Sequence, residues 1–225
     1  MKYINLHTHS TNNLAGVLAI VNKYPDENLE DTKYFSTGIH PWKIDESDFD
    51  RQLEMLKSRG LQSRCLAIGE CGLDKRIEIP MPLQMMVFEQ QLILAQQIRK
   101  PVIVHCVAAF DELVAIKNKL NITVPMVVHG FSKNAAVASM LVKQDFYLSL
   151  GKHWMNNIDY RDVVKAIPLE RLFLETDASN FSLADLYREV ALYIGMNVDE
   201  FQNQIFRNFE TVFGYADSYM ARSPR

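Results

Sequence analysis

No stretch of this 225-residue sequence comes near the run of about 20 apolar residues that a membrane-spanning helix needs. Its start, Met1-Lys2-Tyr3-Ile4-Asn5, turns polar at once where an export signal would run from a basic segment into an apolar one. The expectation is a cytoplasmic protein with no membrane partner. Cysteine is scarce: Cys65, Cys71 and Cys106 form no C-x-x-C pair and leave one over, which excludes a disulfide framework and fits a reducing compartment. Positive charge is not in excess either. With 24 Lys and Arg against 27 Asp and Glu, a formal net charge of -3 and a pI near 6.1, the chain lacks the basic footprint of a protein that holds long nucleic acid by its phosphates. A polyanionic substrate would have to be gripped by a metal or by a local patch. Low-complexity tracts, repeats and Pro/Gly/Ser-rich linkers are missing too, so residues 1–225 read as one domain with no obligate protein partner evident.

What the sequence does have is enough apolar content, 48%, for a sizeable core, arranged as short β-branched and aromatic runs that alternate with amphipathic ones. Strands are expected at Tyr3 to His9, Val17 to Val21 (ended by an asparagine and Pro25), Tyr34 to His40, Cys65 to Glu70, Pro101 to His105, Met126 to His129, Phe146 to Leu150 and Leu172 to Asp177. Helices are expected at Asp45 to Ser58 with Gly60 just beyond the end, Leu83 to Arg99, Phe110 to Leu120, Ala135 to Lys143 and Tyr160 to Ile167, with two more closing the chain. The last has Asn197 and Glu200 as a capping box, Phe201, Ile205, Phe209 and Val212 as its buried stripe, and Gly214 as its stop. Eight strands alternating with helices are the signature of an α/β fold of the TIM type, a (β/α)8 barrel. One link is awkward. A parallel crossover normally takes about a dozen residues or more, so the short segment from Ser10 to Gly16 means either that a helix is lost between the first and second strands or that the second strand runs antiparallel.

Function in such a barrel sits at the C-terminal ends of the strands. His7, His9, Glu70, His105, His129 and Asp177 all lie at or just after such ends. His7 and His9 share one strand, and their i, i+2 spacing puts both on one face. Four imidazoles and two carboxylates converging on one mouth would be costly unpaired, and a metal centre removes the cost. The set exceeds what one catalytic ion needs, and two ions sharing a carboxylate account for the surplus. A lone histidine at a strand end is more often a plain core or rim residue, yet only His40 and His153 of the six histidines fall outside the set.

Leu6-His7-Thr8-His9, Gly38-Ile39-His40-Pro41, Gly69-Glu70-Cys71-Gly72-Leu73-Asp74, Pro101-Val102-Ile103-Val104-His105, His129-Gly130-Phe131-Ser132 and Glu175-Thr176-Asp177 follow one another in an order that resembles the TatD family of metal-dependent deoxyribonucleases over nearly the whole chain. The resemblance implies a compact member of a metal-dependent hydrolase superfamily, hydrolysing DNA phosphodiester bonds with a metal-activated water. It implies one or two divalent ions (zinc, magnesium or manganese), with His7, His9, Glu70 and Asp177 around one, Glu70, His105 and His129 around the other, and Glu70 as the bridge. DNA or a small phosphodiester would be the substrate. Two departures stand out: His105 is followed by Cys106-Val107-Ala108 where family members commonly have Arg-Asp, and Ser179 replaces a usual proline. The first removes a guanidinium fork suited to phosphate, which keeps two alternatives open: a hydrolase of a smaller ester or amide, and a non-catalytic metal-binding relative.

Within that reading Glu70 and Asp177 are the catalytic pair, with Asp177 orienting the attacking water or, in the bolder version, taking its proton. Asp74 and Glu175 either stand behind the ligand histidines and fix their tautomers or are ordinary turn carboxylates. The resemblance puts His40 in the substrate pocket, outside the ligand set. Lys75, Lys133, Lys152 and His153, all in loops after strands, either help to bind substrate or are solvated surface charges. Trp42 and Trp154 either stack on a base or pack at the rim. The cysteines read as buried fillers, not nucleophiles.

Overall fold

The computed structural model describes residues 3–12 and 14–214. Its eight strands form a single parallel sheet in the order in which the chain makes them: β1 (Tyr3–Thr8), β2 (Val17–Lys23), β3 (Phe35–Thr37), β4 (Cys65–Asp74), β5 (Val102–Val107), β6 (Met126–Val128), β7 (Phe146–Leu150) and β8 (Leu172–Leu174). The sheet closes on itself just beyond β8, where Thr8 and Asp177 form a parallel bridge. There the His9 N–H donates to the Asp177 carbonyl (3.2 Å) and the Asp177 N–H to the His7 carbonyl (3.0 Å). Asn5 stitches the same seam: its Nδ2 donates to Thr176 Oγ1 at 2.8 Å and its Oδ1 accepts the Thr176 N–H at 2.9 Å. Strand side chains on both faces of the sheet are shut off from solvent: Ile4, Leu6, Ile20, Ile68, Val102, Val104, Val127, Leu148 and Leu174 have no exposed surface, those on one face filling the barrel and those on the other packing against its surroundings.

β2 runs parallel to β1, with Tyr3 opposite Val17 and Ile4 opposite Leu18, so the antiparallel alternative is wrong and the barrel is trimmed between its first two strands. The physical reason is reach: six residues of strand rise roughly 20 Å, and eight extended residues span at most about 26 Å, which returns the chain to the start of β2 with no slack for a helix. The link from β2 to β3 also crosses without a helix. Asn22, read as the residue that ends the second strand, lies inside β2 and is buried.

Helices cover the rest of the wall: α1 (Phe49–Gly60), α2 (Met81–Gln97), α3 (Phe110–Lys119), α4 (Ala135–Lys143), α5 (Lys152–Asn156), α6 (Leu183–Tyr193) and α7 (Val198–Phe213). α1 starts four residues later than expected and contains Gly60, because a Cβ there would press on Ile98 Cδ1 at 3.0 Å and Ile68 Cδ1 at 3.1 Å. The buried stripe of α2 carries two glutamines among its apolar residues, Gln84 and Gln91. α5 was not foreseen, and the segment expected as a helix from Tyr160 is a 3-10 stretch, Ile158–Ala166. α7 keeps its expected stripe of Phe201, Ile205, Phe209 and Val212. Asn197 caps it by accepting the Asp199 N–H, and Gly214 ends it in the left-handed region at φ +61°. No helix among the described residues is long and apolar enough to cross a membrane.

Candidate metal centre

The C-terminal parts of β1, β4 and β5 and the residues just after β1, β6 and β8 bring the six expected ligands to one place, with Glu70 at its centre; Glu70 does not end its strand as expected, since β4 runs on to Asp74. Its Oε1 lies 2.8 Å from His129 Nε2, 3.0 Å from His105 Nδ1 and 3.1 Å from His40 Nε2; its Oε2 lies 3.4 Å from His7 Nε2 and 3.7 Å from His9 Nε2. Asp177 Oδ1 stands 3.4 Å from His9 Nε2 and 3.6 Å from His7 Nε2. Each carboxylate oxygen of Glu70 thus faces a different set of imidazoles, the arrangement of a carboxylate shared by two cations. Three overlapping groups, His7 with Glu70 and His129, His7 with His9 and Asp177, and His40 with Glu70 and His105, have ligand atoms close enough to hold an ion.

Local backbone explains why these side chains meet. The Glu70 N–H is tied to Asn22 Oδ1 on β2, two strands away (2.9 Å). Gly38 gives β4 room to pass, since a Cβ there would lie 2.7 Å from Gly69 Cα. Asp177 sits at φ +50°, a left-handed conformation that aspartate tolerates better than most residues. Gln91 of α2 reaches under the chain after β3, accepting the Ile39 N–H (2.7 Å) and donating to the Ile39 carbonyl (3.0 Å), and so sets the position of His40. Gln84 does the same for the end of β4, bonding the Asp74 N–H (2.8 Å) and carbonyl (3.0 Å). Asn22, Gln84 and Gln91 were missed as contributors to the site. The signal was present as polar residues inside otherwise apolar segments.

Behind the ligands stand the two further carboxylates. Glu175, fully buried, accepts from the Gly130 N–H (2.8 Å) and faces His129 Nδ1 at 3.2 Å, leaving His129 Nε2 for the centre. Asp74 Oδ2 faces His105 Nε2 at 3.4 Å and accepts from Trp42 Nε1 at 2.8 Å, leaving His105 Nδ1 for the centre. His40 differs. Its Nδ1 accepts the Trp42 N–H at 3.1 Å, so the neutral ring carries its proton on Nε2 and donates toward Glu70. That tautomer makes His40 a hydrogen-bond donor at the centre, although it lies nearer the cluster than a pocket-lining residue need do.

The electrostatics are those of a cation site. Burial works against charge on Glu70, but His129, His105 and His40 outweigh it and hold its carboxyl well below the usual range. Burial likewise opposes ionisation of Asp177, and His7 and His9 override it and hold its carboxyl far down. Burial and His129 both push the His7 imidazolium down, yet Asp177 and Glu70 leave it raised; burial opposes His129 too, and Glu70 and Glu175 lift it well above its ordinary value. His7 is completely buried and makes no hydrogen bond at either nitrogen, although Nε2 stands within 3.4 to 3.6 Å of two carboxylate oxygens. Groups that converge without bonding each other leave a point between them, and nitrogen with carboxylate oxygen suits a divalent cation there. The residues present fit a metal.

The other residues expected to bind substrate follow β4, β6 and β7 along the chain. Lys75 Nζ is turned to Glu112 Oε1 at 2.6 Å. Lys152 and His153 are exposed on α5, with the His153 ring against Tyr160 at 4.4 Å, and Lys133 is half-buried in the loop before α4. Trp154 cannot stack on a base: it is wholly buried, its Nε1 donating to the Arg161 carbonyl. Cys65 and Cys71 are buried and Cys106 half-buried, and burial pushes the thiols of Cys65 and Cys106 up to about 11 and about 12.

A family model described as TatD related DNase matches residues 1–214. The uncharacterised metal-dependent hydrolase YabD of Bacillus subtilis is 35% identical over 149 residues, 64% of this chain and 58% of that protein. The deoxyribonuclease Tat-D of Schizosaccharomyces pombe is 31% identical over 156 residues, 64% of this chain and 50% of that protein. The chain therefore spans between a half and two thirds of these relatives. In three dimensions it resembles the crystal structure of YjjV, a TatD homologue from Escherichia coli, with a TM-score of 0.79 at 23% identity, covering 95% of this chain and 98% of that one, a likeness of fold.

Proposed function

This chain belongs to the TatD-related DNase family, and from that premise we propose that it is a metal-dependent hydrolase of DNA phosphodiester bonds. The observation that carries the reading is Glu70, whose two oxygens are divided between two sets of imidazoles. His7, His9, Glu70 and Asp177 would hold one divalent cation and Glu70, His105 and His129 a second, with zinc, magnesium and manganese as the candidates. When bound, such cations neutralise charge on a phosphoryl oxygen and supply an activated water.

The remaining work falls to the chain. Asp177 is the carboxylate of the pair open to solvent, its side chain 43% exposed against 5% for Glu70, so it meets the incoming water. Held so far below the usual range, its carboxylate is a weak base, and its role is to orient that water. His40 donates its Nε2–H to Glu70 Oε1 and lines the substrate pocket beside the centre. Glu175 and Asp74 keep His129 and His105 in the ligating tautomers. The free thiols fit a reducing compartment, and the cytoplasm is the proposed place of action.

The direct test is release of nucleotides from single-stranded DNA with magnesium, manganese or zinc added. Release with any of them supports the reading, and no release under all three overturns it. A second reading, hydrolysis of a smaller ester, draws on Lys75 being paired with Glu112 and on the missing guanidinium after His105. A panel of DNA, bis-aryl phosphodiesters and lactones separates the two. Bound metal without any turnover would mark a binding protein.

A further inference from the structure

We propose that the indole of Trp42 is a stacking platform for a nucleobase next to the scissile bond, an inference that rests on the nuclease reading. Trp42 is 60% exposed, whereas Leu14, Leu61, Ile158 and Leu192, the more exposed large apolar side chains, are aliphatic. It is also held in place. Its backbone N–H donates to His40 Nδ1 at 3.1 Å and its Nε1 to Asp74 Oδ2 at 2.8 Å. Its ring meets those of His40 and His105 edge-on, with centroids 5.1 and 5.9 Å away. Packing accounts for a buried tryptophan, as it does for Trp154. It does not account for one that is fixed at two hydrogen bonds and still presents most of its surface to solvent.

An aromatic ring immobilised before the ligand arrives loses little entropy on binding, and every nucleobase offers a π-face to it without sequence preference. The position suits this use, since a base on Trp42 would lie within one nucleotide of His105 and Glu70. So does the electrostatics. The ammonium of Lys75 is taken by Glu112 and no arginine follows His105, so a strand finds fewer cationic contacts there and gains more from an uncharged one.

Trp42 and Trp154 are the two tryptophans of the chain, and burial keeps nucleotide away from Trp154, so a nucleotide-dependent change in indole emission reports on Trp42 above a constant background. Titrating the full-length chain with thymidine 5′-monophosphate should quench that emission saturably, 2-deoxyribose 5-phosphate should not, and Trp42→Phe should abolish the response. On single-stranded DNA, Trp42→Ala should raise KM by about tenfold more than it does on a strand of abasic residues, with Trp42→Phe restoring most of the loss. Emission indifferent to the nucleotide, or equal penalties on the two strands, overturns the platform. Failure to cut any strand under any of the three ions strikes the nuclease reading instead, and the emission titration then decides by itself whether a base sits on Trp42.

Discussion

Glu70 meets five imidazoles with two oxygens, and replacing either oxygen by an amide nitrogen turns a donor toward donors or toward a cation. Glu70→Gln is therefore expected to lower the metal content per chain at both positions together, measured by elemental analysis after dialysis; loss at one position alone would remove the bridge. Cys65 gives a prediction outside the centre. Burial raises its thiol from 9.0 to about 11 in the folded chain, so the unfolded chain ionises first and the stability contributed by the neutral thiol is complete below pH 9 and disappears as pH rises through 11. By pH 10 the folded wild type should have lost roughly 1.4 kcal/mol relative to Cys65→Ala. Urea midpoints of the two proteins at pH 8 and 10 check this, and parallel curves would refute it. The clustering of these residues was legible in the sequence because imidazoles at strand ends are rare enough to stand out. The contact of His40 with Glu70 was not legible, because nothing in the sequence tells that the Trp42 N–H would fix the His40 tautomer.

Elements aim these side chains more than they contribute atoms to the chemistry. α2 shows it best: through Gln91 it holds both polar groups of Ile39, and through Gln84 those of Asp74. Gln91→Leu fills nearly the same volume but leaves the Ile39 N–H and carbonyl buried without partners. The expected cost is about 2–4 kcal/mol in denaturant unfolding, with a fall in kcat because His40 rides on that segment; unchanged stability would mean that water replaces the glutamine. Strands and long helices were readable because their periods are strong. The direction of β2 was not, because sequence gives the length of a connection and not the distance it must cover. α5 escaped notice because Lys152–Asn156 is only 5 residues long, too short to show a helical stripe.

At the scale of the whole molecule the charge balance decides how substrate is held. A net charge of -3 with Lys75 tied to Glu112 leaves little counterion release to drive DNA binding. Raising salt from 50 to 200 mM should change KM on single-stranded DNA by less than about tenfold, while chelator should abolish turnover; a loss of about a thousandfold, as for proteins that make many phosphate contacts, would show a cationic track absent from this account. The barrel seam has a consequence of its own. His7 and His9 lie on one side of the join and Asp177 on the other, held together by the Thr8 bridge and the Asn5–Thr176 stitches. Residues made first must wait for residues made near the end before the centre exists. No fragment stopping short of Asp177 should therefore assemble the cluster or retain any hydrolytic activity.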